Sequence, residues 1–173
     1  MKLKLIAIAV ASLAAATIAR AAEPVVAASP EAQRKMLESS DPQLAANKKL
    51  VWDMWRTFLQ GGDINAADKY LAAEYHQHNP NAETGLEGVK AYFRAAGRTA
   101  TPPKDSIDRL ISITAERDLV TLALVRELKD KDGKTYTTTS FDKFRDANGK
   151  IVEHWDIATK PRGPARSKPP ARR

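Results

Sequence analysis

Hydrophobic positions recur at a helical spacing through the first half of the chain. Asp41-Pro42 suits the start of a helix, because Asp can cap it and Pro fits its first turn. Gly61-Gly62 marks its end. A second, short helix is predicted over 63–71, and a third over 86–96. The periodic apolar positions of the first helix are Leu44, Val51, Met54, Trp55, Phe58 and Leu59.

Beyond Pro102-Pro103 the pattern changes to short segments typical of strands. One segment, 119–125, is apolar throughout except for Thr121. A strand that is apolar on both faces is expected to be packed on both faces, and the second face could be covered by a partner subunit. Asn148-Gly149 predicts a tight hairpin between the last two strands. Short turns force antiparallel pairing, so the chain is expected to be α+β, with three N-terminal helices packed on a curved antiparallel sheet. The four predicted strands are 106–115, 119–125, 134–145 and 151–157.

The net charge of +7 suggests a nucleic-acid or membrane binder until its distribution is considered. Residues 1–21 carry three basic side chains and residues 160–173 carry six, with no acidic side chain in either segment. Between them lie 19 basic and 21 acidic residues, so the middle of the chain is mildly acidic. Nucleic acid is therefore not the expected partner, whereas weak contact of the tail with an anionic surface remains open.

Four segments are predicted along the chain. Residues 1–21 have the charged start, the 14-residue apolar run and the Ala19-Arg20-Ala21 ending of a cleavable signal peptide, which predicts a periplasmic or secreted protein. An uncleaved anchor is the alternative. Residues 22–40 are interpreted as a linker or N-terminal extension, 41–159 as the folded domain, and 160–173, with four prolines, as a basic disordered tail.

Composition excludes several classes of site. The chain has no cysteine, which rules out disulfides, thiolate metal sites and a cysteine nucleophile. His76 and His78 could face the same way in a strand, but only one other histidine exists, so no metal site is predicted. A structural role, in which His78 and Asn79 hold a loop by hydrogen bonds, is the favoured interpretation of this segment.

Candidate chemistry lies on the last two strands. In a regular hairpin at Asn148-Gly149, Asp142, His154 and Asp156 would point into one cavity, although a slip of one residue would reverse this. Two carboxylates and an imidazole among apolar residues could perform general acid–base catalysis. Polar residues on a half-exposed sheet are the alternative interpretation.

Two blocks of the sequence resemble a known family. The segment Tyr75-His76-Gln77-His78-Asn79-Pro80 followed by 85–93 (GLEGVKAYF), and the ending at 141–156 with its closing G-K-I-V-E-H-W-D, look like SnoaL-like polyketide cyclases of the nuclear transport factor 2-like superfamily. The resemblance covers about residues 44–159. It implies a cone-shaped α+β barrel, often a homodimer through the open face of the sheet.

The same resemblance implies a mechanism. In the cyclases an acidic residue in the cone acts as general acid and base in an aldol condensation without metal or cofactor, and Asp142 matches its position best. Asp156 matches an Asp of the related limonene epoxide hydrolases, but no Arg-x-Asp follows Val125, which argues against epoxide hydrolysis. The expected ligand-binding residues are His78, Asn79, Tyr92, Phe93, Phe144 and Trp155, with core packing as the alternative for the aromatic ones.

Three functions follow as hypotheses. The first is a cofactor-independent catalyst of aldol or isomerase type on a small hydrophobic carbonyl compound. In it Asp142 removes a proton, Asp156 and His154 orient it, and His78 and Asn79 bind the enolate oxygen. The second is a non-catalytic periplasmic module that binds a small apolar ligand. The third is a dimeric interaction module, and the fold alone does not decide among them.

Overall fold

The computed structural model describes residues 23–160, so the predicted signal peptide and nearly all of the predicted tail lie outside the described residues. Helices cover one face of a curved five-stranded sheet, which confirms the α+β class and the cone-shaped barrel. Within the described chain, no helix is both long and apolar enough to cross a membrane. The elements are α1 Pro30–Met36, α2 Pro42–Met54 with a π-helical continuation Trp55–Gln60, a 3-10 turn Ile64–Ala66, α3 Ala67–Tyr70, β1 Leu71–Gln77, α4 Leu86–Ala95, β2 Leu110–Glu116, β3 Leu119–Lys129, β4 Thr135–Ala147 and β5 Lys150–Trp155.

The sheet has the order β1-β5-β4-β3-β2, and its one parallel pair, β1 with β5, was not predicted. The prediction of four strands was wrong because β1 lacks an alternating apolar pattern. Its buried residues, Leu71 and Tyr75, are four positions apart, and its register shifts between Leu71 and His76. Pairing with β5 brings this irregular strand into the sheet, beside the predicted catalytic residues.

The first helix begins as predicted. Asp41 Oδ1 accepts a hydrogen bond from Gln43 N at 2.8 Å, and Pro42 occupies the first helical position. The helix continues through a π-helical segment to Gly61, and Gly62, with φ of 73°, reverses the chain. Phe58, in the π-helical segment, is 1% exposed. The π-helical segment therefore keeps an apolar residue of the helix in the core up to its last turn.

The prediction of a linker over 22–40 is corrected by α1. Gln33 is 2% exposed; its Nε2 donates to Ile107 O at 3.0 Å, and its Oε1 accepts from Ile107 N at 2.8 Å. Ala28 N also donates to Leu110 O at 2.7 Å, so this segment packs on the edge of β2. The sequence did not reveal the helix because it is only seven residues long and its buried residue, Gln33, is polar.

The second correction concerns the start of β2. A strand was predicted from residue 106, but extended pairing begins at Leu110, because Arg109 has a φ of 66° in the left-handed region. Ile107 is buried before the strand starts, with its backbone bonded to Gln33. The apolar residue at 107 was therefore correctly placed in the core but assigned to the wrong local structure.

The hairpin at Asn148-Gly149 has φ angles of 50° and 73°, as a type I′ turn requires. It pairs Phe144 with His154 and Lys143 with Trp155, despite a register shift between Arg145 and Asp146. The inner face of β4 therefore carries Asp142, Phe144 and Asp146 in succession. This register puts the predicted catalytic side chains on the side that the helices cover.

Candidate functional site

A cavity of about 290 Å³ lies between the helices and the inner face of the sheet. The end of α2 and its π-helical continuation form one wall, α4 forms another, and β1, β4 and the end of β5 form the floor. Aromatic and aliphatic side chains make up most of the lining, and the polar groups gather on the strands. The lining residues are Met54, Trp55, Phe58, Leu59, Leu71, Tyr75, Gln77, Asn79, Ala82, Val89, Tyr92, Phe93, Asp142, His154 and Asp156.

The structure brings the three predicted catalytic residues together. Ligand atoms of Asp142, His154 and Asp156 lie within 4.8 Å of one another. His154 Nε2 and Asp142 Oδ1 are 3.0 Å apart, and the ring of His154 stacks on Phe144 with centroids 4.4 Å apart and planes at 6°. His154 is 6% exposed, so packing and this hydrogen bond together fix its ring and orient the Asp142 carboxylate.

The two carboxylates differ in how fully they are bonded. Asp156 Oδ2 accepts from Asn79 Nδ2 at 2.7 Å and its Oδ1 accepts from Ala158 N at 2.8 Å. Asp142 uses Oδ1 for His154, while Oδ2 has no hydrogen-bond partner within residues 23–160. The free carboxylate oxygen in the cavity therefore belongs to Asp142, and Asp156 is held as a structural acceptor.

A chain of hydrogen bonds on β1 ends at a buried hydroxyl. Gln77 Oε1 accepts from Asn79 N at 3.0 Å, which leaves Gln77 Nε2 to donate to Tyr75 Oη at 3.2 Å. Burial raises the pKa of Tyr75 far above its usual value, and the negative charges of Asp156 and Asp142 raise the pKa further. Tyr75 is thus a neutral phenol that already accepts one hydrogen bond and has its proton available to donate.

Six of the nine predicted site residues line the cavity, namely Asp142, His154, Asp156, Asn79, Tyr92 and Phe93.

Three predicted ligand-binding residues do not line it. His78 stacks on Trp155 with centroids 5.0 Å apart, and its Nε2 lies 2.8 Å from Glu153 Oε1, away from the cavity. Trp155 precedes Asp156 and follows His154, so it points to the opposite side of the sheet. Phe144 is 1% exposed and supports His154 and Trp55 from the core. Of the predicted pair, Asn79 lines the cavity and His78 does not, because these two residues, which follow β1, have side chains on different sides.

Sequence reasoning missed the polar residues of β1. Tyr75 and Gln77 are two positions apart on β1 and share the face that lines the cavity, and the predicted Asn79 lies two positions beyond Gln77, past the end of the strand. The prediction considered the alternate face, that of His76 and His78, whose rings are 4.6 Å apart. The alternation was visible in the sequence, but nothing in it indicated which of the two faces is covered by helices.

Asp142, His154 and Asp156 could in principle hold a cation, because two carboxylates and an imidazole are common ligands of divalent metals. In this arrangement Asp142 Oδ2 is free, but the other ligand atoms named here are already used within the protein. His154 Nε2 is bonded to Asp142, and both oxygens of Asp156 accept hydrogen bonds. A metal would have to displace these bonds, so the donor set fits proton transfer better than metal binding.

The chain was compared with known structures. It is 21% identical to TsrD from Streptomyces laurentii, with 68% of this chain and 90% of that chain covered and a TM-score of 0.45. It is 17% identical to an NTF2-like protein of unknown function from Burkholderia pseudomallei (66% and 91% covered, TM-score 0.47). It is 18% identical to an LEH-like epoxide hydrolase from M. tuberculosis (66% and 84% covered, TM-score 0.48). No functionally curated protein matches the chain.

The sequence model of the SnoaL-like domain matches residues 52–154, which is more than half of the chain. The matched segment begins within α2 and ends at His154, so it contains the cavity walls and most of its polar floor. The resemblance inferred from the two sequence blocks is confirmed. The chain belongs to the SnoaL-like domain family.

Proposed function

We propose that this protein is a cofactor-independent acid–base catalyst that removes a proton next to the carbonyl group of a small hydrophobic compound, in a reaction of aldol or isomerase type. The observation that carries the proposal is that Asp142 lines an apolar cavity, with Oδ2 unbonded within residues 23–160 while His154 holds the other oxygen. A general base needs an available lone pair, a fixed position and a substrate site beside it, and Asp142 has all three.

The proton transfer balances without any other reagent. The α-carbon proton passes to Asp142 Oδ2, and the C–H electron pair forms the double bond of an enolate, whose charge moves to oxygen. In an isomerisation, Asp142 returns the proton to a different carbon. In an aldol condensation, the enolate carbon bonds to a second carbonyl carbon, and the resulting alkoxide takes the proton from Asp142. His154 is a positioning residue whose Nε2 is hydrogen-bonded to Asp142 Oδ1.

Tyr75 takes the oxyanion role that the sequence assigned to His78 and Asn79. Its hydroxyl lines the cavity and stays protonated, and Gln77 donates to its oxygen, which orients its proton away from Gln77. A donor that is fixed before the reaction stabilises developing negative charge most strongly in a dry site. Asn79 is unsuited to this role because its amide donates to Asp156.

The experiment is deuterium incorporation in D₂O at the α carbon of small apolar ketones such as 2-indanone, followed by NMR with the full chain. We expect exchange above the buffer rate, and a loss of about 100-fold or more in Asp142→Asn. The matched control is Asp105→Asn, an exposed carboxylate distant in sequence from the cavity residues. Equal exchange in wild type and Asp142→Asn would contradict the assignment of the base.

A binding module of the same fold is the second candidate, favoured by the predominance of apolar side chains in the cavity lining. It predicts that a ligand is retained when the protein is purified from its native compartment and examined by native mass spectrometry. Retention of an unaltered ligand, together with no acceleration of ketone exchange, would select this function over catalysis.

The cellular setting is also proposed from the sequence. Residues 1–21 have the composition of a signal peptide, so the protein is proposed to act in the periplasm or outside the cell. Intact mass measurement of the protein recovered from the periplasm tests this, because cleavage before Ala22 fixes the mass of the mature chain. Recovery of the uncleaved chain in the membrane fraction would indicate the anchor instead.

A further inference from the structure

A groove of about 340 Å³ adjoins the cavity on the side of β3. The side chains of Trp55 and Asp142 line both the cavity and the groove, so these side chains form the boundary between the two spaces. The groove is more open to solvent than the cavity and is lined by Leu124, Ser140 and charged groups. A compound whose reacting carbon lies beside Asp142 can therefore extend into this groove.

Two arginines lie along the groove. Arg126 follows Leu122 and Leu124 on the inner face of β3, where Leu122 pairs with Asp142 and Leu124 with Ser140. Alternate residues of a strand share a face, so Arg126 continues the floor of the cavity outwards. Arg109 reaches the same groove from the segment before β2.

The backbone at Arg109 has a φ of 66°, which is uncommon for a side chain of this kind. Backbone strain of this type is often retained at binding sites.

Both guanidinium groups are uncompensated. Within residues 23–160, neither Arg109 nor Arg126 forms a side-chain hydrogen bond or an ion pair, whereas Arg145 has two carboxylate partners. The carboxylate of Asp108, which also lines the groove, is 2.5 Å from Lys104 Nζ. The groove thus presents two free positive charges, each with several donors suited to a carboxylate, sulfonate or phosphate.

We propose that the substrate is an amphiphile, with an apolar body in the cavity and an anionic group held in the groove by Arg109 and Arg126. This inference rests on the proposed function and names its substrate class. The anion would help to fix which carbon of the substrate faces Asp142, because the arginines anchor the opposite end of the molecule. Charge recognition lies at the entrance, where desolvation costs little, and hydrophobic binding lies inside.

The test uses two fluorescent probes with the same N-phenyl-1-naphthylamine body. One is the neutral parent compound, and the other is 1-anilinonaphthalene-8-sulfonate, which adds one anionic group. Dissociation constants are measured by fluorescence titration of the full chain. We expect Arg109→Gln and Arg126→Gln each to weaken binding of the sulfonate about three- to fivefold, as expected for a partly exposed charge pair. Binding of the neutral probe should not change.

The chain offers a matched control for each variant. Arg117→Gln removes an exposed arginine whose φ is 55°, similar to that of Arg109, on the other side of β2 and away from the groove. Lys143→Gln removes a positive charge from the outer face of β4, next to Asp142 in sequence but on the opposite side of the sheet. Both controls should leave the affinity for the two probes unchanged.

Each result decides the proposal. It is overturned if the controls weaken sulfonate binding as much as the groove variants, since the effect would then reflect net charge alone. It is also overturned if the groove variants weaken both probes equally, if they weaken neither, or if neither probe binds the wild type. Failure of the proposed catalysis is distinguishable, because Asp142→Asn would then leave ketone exchange unchanged while the arginine dependence of sulfonate binding remained.

Discussion

At the scale of single residues, the proposed catalysis depends on Tyr75 as a hydrogen-bond donor to the enolate oxygen, whereas a binding module would not need this donor. Its hydroxyl is buried beside two carboxylates, yet Gln77 supplies its only protein hydrogen-bond partner within the described chain. A phenol placed in this way costs free energy unless its proton also finds a partner. A substrate oxygen in the cavity would complete its bonding, as the proposed oxyanion role of Tyr75 requires.

Tyr75→Phe removes the hydroxyl and keeps the ring. We expect α-deuterium exchange of 2-indanone to fall about 10- to 100-fold, because the enolate oxygen loses its donor. Binding of N-phenyl-1-naphthylamine should persist, since the cavity keeps its shape. NMR exchange rates and fluorescence titration measure the two effects separately. Parallel loss of exchange and probe binding would instead indicate that Tyr75 shapes the cavity and donates to nothing.

Asp146 lies on the same face of β4 as Asp142, and its carboxyl group is buried without a partner among the described residues. It is 7% exposed, and neither carboxylate oxygen has a hydrogen-bond partner among residues 23–160. Burial raises its pKa to about 7, and the charge of Asp118 contributes in the same direction. The folded chain therefore holds this proton more tightly than the unfolded chain, whose carboxyl keeps an ordinary pKa near 4.

The sign of the pH effect follows from that difference. Between pH 4 and pH 7 the folded state binds more protons, so the free energy of unfolding declines as the pH rises. We expect Asp146→Asn to remove this decline and to be more stable than wild type by about 2–4 kcal/mol at pH 8. Urea denaturation at pH 5 and pH 8 measures it, with Asp105→Asn as control. A wild-type stability that stays flat from pH 5 to pH 8 would refute the prediction.

At the scale of elements, α1 is attached to the domain through Gln33 and, at its C-terminal end, through Lys48 of α2, whose Nζ donates to Met36 O at 2.6 Å. This side chain satisfies both the N–H and the C=O of Ile107, a residue that precedes β2 and belongs to no ladder. Unpaired buried backbone groups are costly, so one glutamine replaces the pairing that a strand would give. The short helix and the irregular segment before β2 therefore stabilise each other.

Gln33→Ala should destabilise the domain by about 1–3 kcal/mol, because it leaves the buried N–H of Ile107 unpaired and its C=O with only the 3.4 Å bond from Leu110 N. Gln43→Ala is the matched control: it also removes a helical glutamine, but an exposed one whose amide bonds only to Asn47. Denaturant midpoints of the two variants measure the difference. If both variants lose the same small amount, α1 is a surface attachment and not a part of the domain.

The elements of the fold differ in whether the sequence alone could predict them. The helix from Asp41 and the Asn148-Gly149 hairpin depend on local chemistry, and local chemistry predicted both. The hairpin then fixed which of Asp142 and Lys143 faces inwards. By contrast, β1 depends on a distant partner, β5, and α1 depends on Ile107, 74 positions away. Because neither dependence leaves a periodic signal, Tyr75, Gln77 and the role of Gln33 could be found only in the structure.

At the scale of the whole molecule, the outer face of the sheet has an apolar side chain that the described part of a single chain does not cover. Ala123 on β3 is 8% exposed, but Phe141, its direct partner on β4, is 53% exposed. The apolar character of 119–125 on both faces, which led to the prediction of a partner subunit, continues onto this aromatic ring. A second copy of the chain would cover Phe141, as the resemblance to the SnoaL-like family implies.

The homodimer is a prediction from the sequence, and it predicts in turn that the wild type is dimeric and Phe141→Lys monomeric, because two buried charges would replace two aromatic contacts across a symmetric interface. Tyr136→Lys is the matched control. Tyr136 is 46% exposed and lies on the same strand as Phe141, but on the opposite face of the sheet. Light scattering after size exclusion measures the mass of each variant, and circular dichroism confirms that each folds. A wild type that is monomeric at high micromolar concentration, or a Phe141→Lys variant that stays dimeric, would show that this face is not the interface.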